Sequence, residues 1–275
     1  MSAGFPFYYS SSRGSDILVA TLLIVYDCAT KTMPQPETQL GGLPIGDAPR
    51  VVGTVSQADT LAKLAGAGTH DCDIVEVRLD LIGADTPGWL EQAKAIEAKG
   101  VPVIVTIRLA NEGGKWTQPD EVRLPLFQAA LQNLSAVDIE FRSPLLKKIS
   151  ALATRHQKAL IVSHHDFQKT PAADELRQII RKASDCGTIV KIATLVQTDT
   201  DLAILRELLS EKWPVRICLL GMGSPANGSQ AGKLGPQTRT LFPKLGSCLT
   251  YGYLDVPVAP GQVHARELMQ QLRPR

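Results

Sequence analysis

Residues 159–193 read ALIVSHHDFQKTPAADELRQIIRKASDCGTIVKIA, and this stretch decides the predicted fold. It begins and ends with short apolar runs rich in β-branched residues, at 159–163 and 188–193, which are typical of buried strands. Between them, residues 172–183 place apolar side chains at helical spacing. A strand, a helix and a second strand in this order predict two adjacent parallel strands joined by a right-handed crossover.

The same alternation continues on both sides of this unit. Strands are predicted at 51–55, 74–79, 102–107, 137–141, 159–163, 188–193, 215–219 and 248–252. Helices are predicted at 57–67, 88–99, 121–133, 144–155, 172–183, 200–211 and 263–272. Eight strands alternating with helices over roughly 220 residues predict a single α/β domain, a (β/α)8 TIM barrel. The rival is an open doubly wound sheet, but the G-x-G-x-x-G that would support it does not follow the first strand.

The first part of the chain has a different composition. We expect residues 1–49, rich in Ser, Thr, Gly and Pro, to form a poorly ordered N-terminal extension, and residues 50–275 to form the barrel. The apolar run at 17–26 is about half as long as a bilayer-spanning helix. No small-residue cleavage site follows it, which argues against a signal peptide. Met33 is a second candidate for the start of translation.

Composition and charge exclude several classes of protein. The chain of 275 residues has 29 Lys and Arg against 27 Asp and Glu, a formal charge of +2, so we expect no nucleic-acid partner. Hydrophobic residues make up 44% and charged residues 20%, as in ordinary globular proteins. The 5 cysteines include no C-x-x-C pair, which argues against a disulfide framework and a zinc site. We therefore expect a protein of a reducing compartment, the cytoplasm, with no membrane partner.

Polar residues concentrate where a barrel would carry its chemistry, at the C-terminal ends of the strands. Five consecutive predicted strands bring charged groups or histidine to this face: Glu76, Arg78, Arg108, Glu112, Asp138, Glu140, His164, His165, Asp166 and Lys191. We therefore expect the active site at this end of the barrel.

Lys191 is the most informative of these residues because it interrupts an apolar strand. Lysine is rarely buried, and burial favours the neutral amine, which attacks carbonyl carbon. The alternative is a structural ion pair with Glu76, Asp138 or Glu140.

The adjacent histidines at 164 and 165 need a separate interpretation. Strand alternation points only one of them into the barrel, and two neighbouring histidines without further ligands are weak support for a metal site. A general base paired with a carboxylate is the better functional interpretation.

Five motifs along the chain form a recognisable set. They are EVRLD at 76–80, RLANEGG at 108–114, SHHDFQKTP at 163–171, KIA at 191–193 and APGQ at 259–262. From about residue 51 to 272 the chain resembles the type I 3-dehydroquinate dehydratases, (β/α)8 barrel enzymes that form a Schiff base with their substrate. The resemblance implies dehydration of 3-dehydroquinate to 3-dehydroshikimate, in aromatic amino-acid biosynthesis through the shikimate pathway or in quinate breakdown.

The resemblance also implies roles for individual residues. Lys191 would form the imine, His165 would move the proton, and Glu112 would orient His165. The substrate-binding residues would be Glu76, Arg78, Arg108, Arg239 and Gln262. It further implies a homodimer whose only small-molecule partner is the substrate, with no metal and no other cofactor.

Two departures from the family pattern leave alternatives open. An apparent insertion at 224–233, rich in Gly, Ser and Asn, is expected to form a flexible loop ahead of Arg239. Val258 stands where the family usually has serine before APGQ. The alternatives are another class I Schiff-base barrel, such as an aldolase, and a degenerate barrel kept as a binding module.

Overall fold

The computed structural model describes residues 37–223 and 231–273. The predictions made for residues 1–36 and 224–230 lie outside the described residues. The strands are β1 (Thr38–Leu40), β2 (Leu43–Ile45), β3 (Arg50–Val55), β4 (Ile74–Arg78), β5 (Val103–Thr106), β6 (Ala136–Glu140), β7 (Ala159–Asp166), β8 (Ile189–Leu195), β9 (Arg216–Met222) and β10 (Leu249–Tyr253). Each predicted strand is present, and β1 and β2 are additional.

The helices alternate with the strands, as predicted. They are α1 (Ala58–Ala67), α2 (Leu79–Ile82), α3 (Trp89–Glu97), α4 (Asp120–Asn133), α5 (Leu146–His156), α6 (Ala173–Ser184), α7 (Asp199–Ser210), α8 (Ala231–Lys244) and α9 (Ala265–Leu272), with a 3-10 helix at Ala110–Glu112. In the part of the chain that the structure describes, none of them has the length and apolar character needed to cross a membrane.

The eight strands β3 to β10 form one parallel sheet in the order β10-β3-β4-β5-β6-β7-β8-β9. The ends of this sheet meet where β9 approaches β10. There the Cys248 amide donates to the Ile217 carbonyl at 2.9 Å, and the Leu219 amide donates to Ser247 Oγ at 3.0 Å. The (β/α)8 barrel is therefore confirmed, and the open-sheet alternative is wrong.

Alternation along each strand divides the core into two layers. In β8, Val190 and Ile192 pack among the residues between barrel and helices, whereas Ile189 and Ala193 pack with the residues inside the barrel. Successive side chains of a strand point to opposite faces. Lys191 therefore points into the barrel.

The β1–β2 hairpin belongs to the barrel core, although it precedes residue 50. Leu40 is 0% and Ile45 is 2% exposed, and both pack with interior residues such as Ile104 and Ala159. The boundary expected at residue 50 thus leaves out a hairpin that packs into the barrel. Strands of three residues are too short for a period-2 pattern to identify them in a sequence.

The helix α8 was not predicted, since it contains Gly235, Pro236 and Pro243, which are poor residues for a helix interior. It packs on β9: the Gly221 amide donates to Thr238 Oγ1 at 3.0 Å. A Cβ on Gly235 would lie 2.1 Å from the Gly223 nitrogen, so only glycine permits this approach. Residues 231–233, expected in a flexible loop, instead form the first turn of α8.

Candidate active site

All eight residues predicted to form the site line one pocket at the C-terminal ends of the barrel strands: Glu76, Arg78, Arg108, Glu112, His165, Lys191, Arg239 and Gln262. The pocket is a concavity at the mouth of the barrel, where enzymes of this fold bind small molecules. Its wall is completed by Thr54, Gly113, Phe167, Ala193, Leu220, Met222, Tyr251, Val258 and Ala259. The barrel thus brings together side chains that are as far apart in sequence as Glu76 and Gln262.

Lys191 combines the two arrangements that the sequence left open. Its Nζ donates to Asp138 Oδ2 at 2.9 Å and lies 4.0 Å from Glu76 Oε1, so the expected ion pair exists. The residue is 5% exposed and lines the pocket. The amine is therefore held by carboxylates at a surface that a bound ligand would meet.

Asp138 is the anion between two buried cations. Burial opposes its charge, but the charges of Arg108 and Lys191 outweigh burial and hold the pKa of this carboxyl below its usual range. Arg108 Nη2 and Ser163 Oγ both donate to Asp138 Oδ1, each at 2.6 Å. The carboxylate therefore stays ionised and fixes both Lys191 and Arg108.

A buried ion-pair network continues from Arg108 towards the helices. Arg108 Nη1 lies 3.1 Å from Glu140 Oε1, and Glu140 also pairs with Arg123 of α4. Arg123 is 0% exposed and donates to the Ile107 carbonyl through Nε at 3.0 Å. Buried charges destabilise a fold unless they are paired. Here Arg108, Glu140 and Arg123 pair with one another, and these contacts connect the pocket wall to the helix outside it.

His165 and Glu112 form the second reactive pair. His165 Nδ1 lies 3.1 Å from Glu112 Oε2. Burial lowers the pKa of His165 well below its usual value, and the Arg108 and Lys191 charges lower it further. Burial raises the pKa of Glu112 to about 7, although Arg108 opposes this. A neutral imidazole whose Nδ1–H is directed to a carboxylate leaves Nε2 free to accept a proton.

His164 does not share this position. It is 4% exposed and lies outside the group of residues that line the pocket. Burial lowers the pKa of His164, and the Arg142 charge adds to this effect. The strand therefore directs the two histidines to different surroundings, as the alternation predicted.

Glu76 and Arg78 are held by partners on both sides of β4. Thr54 and Thr106 donate to the two oxygens of Glu76 at 2.9 and 2.7 Å. Arg78 donates to both oxygens of Asp80 at 2.9 and 2.8 Å. Both pocket side chains are therefore fixed before any ligand binds.

Arg239 reaches the pocket despite the insertion before it. It donates to the backbone carbonyls of Tyr251, Gly261 and Pro260 at 2.8, 2.9 and 3.4 Å. Burial lowers the pKa of its guanidinium to about 10, so the group is still a cation at neutral pH. These bonds tie α8 to the segment that carries the APGQ motif.

The segment 256–262 lies over the pocket. Gln262 Oε1 accepts the Val258 amide at 2.9 Å, and Gln262 Nε2 donates to Thr54 Oγ1 at 3.3 Å. Val258, which replaces the usual serine, lines the pocket with an apolar side chain.

Some residues in the pocket wall or directly behind it were not assigned a role from the sequence. Asp138 was considered only as an ion-pair partner, and Thr54 and Tyr251 were not singled out. Their signal is the one that identified Lys191, a polar side chain near the C-terminal end of an apolar strand. Among residues 37–223 and 231–273, no group of three or more His, Cys, Asp or Glu side chains is arranged to hold a metal ion.

The fold and the pocket define the class of protein, a (β/α)8 barrel enzyme with a buried lysine and a neutral histidine in one pocket. The Type I 3-dehydroquinase family model matches residues 51–275. The chain belongs to the type I 3-dehydroquinase family, and it is therefore an enzyme of the hydro-lyase class.

Individual relatives agree with this assignment. The 3-dehydroquinate dehydratase of Methanocella arvoryzae is 37% identical over 226 residues, which is 82% of this chain and 96% of that protein. The crystal structure of the 3-dehydroquinate dehydratase of Aquifex aeolicus matches with a TM-score of 0.65 and 27% identity, covering 82% of this chain and 99% of that one. The Geobacillus kaustophilus structure, at 23% identity, a TM-score of 0.75 and coverage of 86% and 95%, shows the shared fold.

Proposed function

We propose that this protein dehydrates 3-dehydroquinate to 3-dehydroshikimate through an imine on Lys191. The observation that carries the proposal is that Lys191 and His165 line the same pocket, with Glu112 hydrogen-bonded to Nδ1 of the imidazole. This pocket offers a nucleophile for a ketone and a base for the carbon beside it. The names of the relatives supply the substrate.

The first step forms the carbon–nitrogen bond. The Lys191 ammonium gives one proton to the neutral His165, and the resulting amine adds to the ketone carbon. The ketone oxygen then leaves as water with that proton and a second proton from the nitrogen, so the protonated imine carries the one positive charge of the original ammonium. Asp138, at 2.9 Å from Nζ, stabilises that charge. The cationic imine withdraws electrons from the neighbouring C–H bond more strongly than the ketone does.

The second step uses His165. Its free Nε2 removes the proton beside the imine carbon, and the electron pair moves into the carbon–nitrogen system to give an enamine. The enamine then expels the β-hydroxyl, which leaves as water with the proton from His165. Hydrolysis of the protonated imine releases the conjugated ketone and regenerates the Lys191 ammonium.

The remaining pocket residues would bind the substrate. Arg239 is a guanidinium suited to the substrate carboxylate, since its planar group can hold two oxygens at once. Glu76, Arg78 and Gln262 would contact hydroxyls. Arg108 donates to Ser163 Oγ and Asp138 Oδ1. It would bind the substrate while it also holds Asp138, the anion beside Lys191.

Chemical trapping tests this proposal. Borohydride added with substrate should inactivate the protein irreversibly and leave a reduced adduct on the peptide that contains Lys191, identified by mass spectrometry. Lys191→Ala should lose both the label and nearly all turnover, measured by the ultraviolet absorbance of the product. As a control, Lys94→Ala, on the exposed side of α3, should label and turn over as the unaltered protein does. Turnover without any adduct would refute the imine.

We also propose that the enzyme works as a homodimer, as the family resemblance implies, and that it works in the cytoplasm. Cys72, Cys186, Cys218 and Cys248, the cysteines of the described part, are free, which supports a reducing compartment. Light scattering of the purified protein should give twice the mass of the chain, and a monomer mass would contradict the dimer.

A further inference from the structure

Tyr251 contacts the reactive nitrogen of the pocket but has no role in the steps above. It lies in β10, is 4% exposed and lines the pocket. Lys191 Nζ lies 4.3 Å from the centre of its ring. The amine is thus surrounded by Asp138 at 2.9 Å, Glu76 at 4.0 Å and the face of one aromatic ring.

The ring face attracts a cation without a hydrogen bond. An aromatic face carries partial negative charge, and a cation within about 6 Å of its centre is stabilised, more strongly when both groups are buried. Lys191 and Tyr251 meet both conditions, because each is at most 5% exposed.

This difference matters once the imine forms. A lysine ammonium has three N–H donors, whereas a protonated imine has one, so the nitrogen loses two possible hydrogen bonds while it keeps its charge. Asp138 can retain a single hydrogen bond from this nitrogen, and it already accepts hydrogen bonds from Arg108 and Ser163. The attraction to the Tyr251 ring needs no N–H and persists through this change.

The Tyr251 hydroxyl takes no visible part in holding the ring. Its oxygen is buried and has no hydrogen-bond partner among the described residues. Burial raises the pKa of this phenol well above its usual value, and the Glu76 charge adds to the effect, so the hydroxyl stays neutral. Packing against the interior residues holds the ring in place.

We propose that Tyr251 is a further catalytic residue, whose ring face stabilises the positive charge on the Lys191 nitrogen while the imine is formed and consumed. The inference rests on the proposed imine mechanism and adds a third group to the two carboxylates beside this nitrogen. It assigns the effect to the ring and none to the hydroxyl.

Replacing the ring while keeping an apolar side chain tests the inference. Tyr251→Leu should lower kcat and the rate of borohydride trapping at saturating substrate by about 10- to 30-fold, the size expected for a buried cation–π contact. Tyr251→Phe keeps the ring and should stay within about twofold of the unaltered protein on both measures. Tyr253→Leu, on the same strand but outside the residues that line the pocket, is the matched control and should retain both rates.

A graded series covers the case in which Tyr251→Leu fails to fold. Phenylalanine with one, two or three ring fluorines at position 251 keeps the shape but weakens the negative ring face, so the trapping rate should fall with each fluorine. Three results would overturn this inference but leave the proposed function intact. They are a trapping rate that does not change with the number of fluorines, equal trapping rates for Tyr251→Leu and the unaltered protein, and a Tyr251→Phe variant as slow as Tyr251→Leu. If the unaltered protein gives no adduct, the proposed function fails and this inference fails with it.

Discussion

At the level of single residues, the site is an arrangement of buried charges that determine one another's protonation. Arg108 and Lys191 keep Asp138 ionised, and the same two cations lower the pKa of His165. Glu112, at the edge of this group, has its pKa raised to about 7 by burial. The pocket therefore holds fixed anions next to the lysine and a neutral base next to a carboxyl that titrates near physiological pH.

The two histidines should differ sharply in their effect on turnover. His165→Ala removes the proposed base from the pocket and should lower kcat by at least about 100-fold, within the usual range for general acid–base groups. His164→Ala changes a residue outside the pocket lining and should cost much less activity. Steady-state kinetics of the two variants compare them directly. A larger loss in His164→Ala would contradict the assignment of the base.

The pH dependence of kcat should show an acid limb near pH 7. Above the Glu112 pKa of about 7, the carboxylate accepts the His165 Nδ1–H and leaves Nε2 able to take a proton. Below it, protonated Glu112 donates to Nδ1, which places the imidazole hydrogen on Nε2, so activity falls as the pH falls. In Glu112→Gln this limb should disappear, because glutamine does not titrate. An unchanged limb in the variant would exclude Glu112 as its origin.

Metal chelation should leave activity unchanged. The cationic imine withdraws electrons from the reacting carbon, so a Lewis acid would be redundant in the proposed mechanism. Dialysis against EDTA followed by assay in chelator-treated buffer measures this. A loss of rate that zinc or magnesium restores would contradict the mechanism.

At the level of elements, α8 and the segment 256–262 complete the pocket together. Thr238 fastens α8 to β9, and Arg239, one residue later, donates to the carbonyls of Pro260 and Gly261. The helix therefore brings a cation into the pocket and also holds the segment above it. A change at Arg239 should affect both.

Arg239→Lys should weaken substrate binding. Lysine keeps the charge but cannot hold two carboxylate oxygens in parallel or bond several carbonyls from one planar group. We expect KM to rise by at least about tenfold, the equivalent of one lost charge-assisted hydrogen bond. Arg206→Lys, at an exposed position of α7, is the control and should leave KM unchanged. Unchanged KM and kcat in Arg239→Lys would exclude this residue from substrate binding.

At the level of the whole molecule, stability depends on how the barrel interior is sealed at the end opposite the active site. Leu40 and Ile45 pack against Ala159, the first residue of its strand, and against other interior residues. The hairpin that carries them is short and belongs to neither a helix nor the eight-stranded sheet. It nevertheless covers apolar surface that water would otherwise reach.

Truncation from the N-terminus should separate the hairpin from the residues before it. A chain that begins at Met33 keeps Leu40 and Ile45 and should retain its melting temperature and activity. A chain that begins at Arg50 loses both buried side chains, and its free energy of unfolding should fall by about 3–6 kcal/mol, since burying each aliphatic side chain contributes about 1.5–3 kcal/mol. Thermal and urea unfolding of both chains measure this. Equal stability would show that the hairpin contributes nothing to the barrel.

Much of the fold and the site could be predicted from the sequence because the signals are local. Strand and helix periods are visible within single segments, and each barrel strand predicted from them is present. The alternation of side chains along β7 and β8 directs His165 and Lys191 into the barrel. The motifs and the family resemblance supplied the other predicted site residues, but not Thr54 or Tyr251. Their common location follows from barrel topology, which brings the C-terminal ends of all the strands to one face.

Other features exist only because distant segments meet. The sequence alone did not show that β1–β2 seals the barrel, that α8 forms through two prolines, or that Tyr251 faces the Lys191 nitrogen at 4.3 Å. Helix propensity opposed α8, and packing on β9 outweighed it. The directions of the pKa shifts at Asp138, His165 and Glu112 depend on burial and on charges brought from other strands. Period and motif are properties of a segment, whereas desolvation and the distances between charges arise only when the barrel closes.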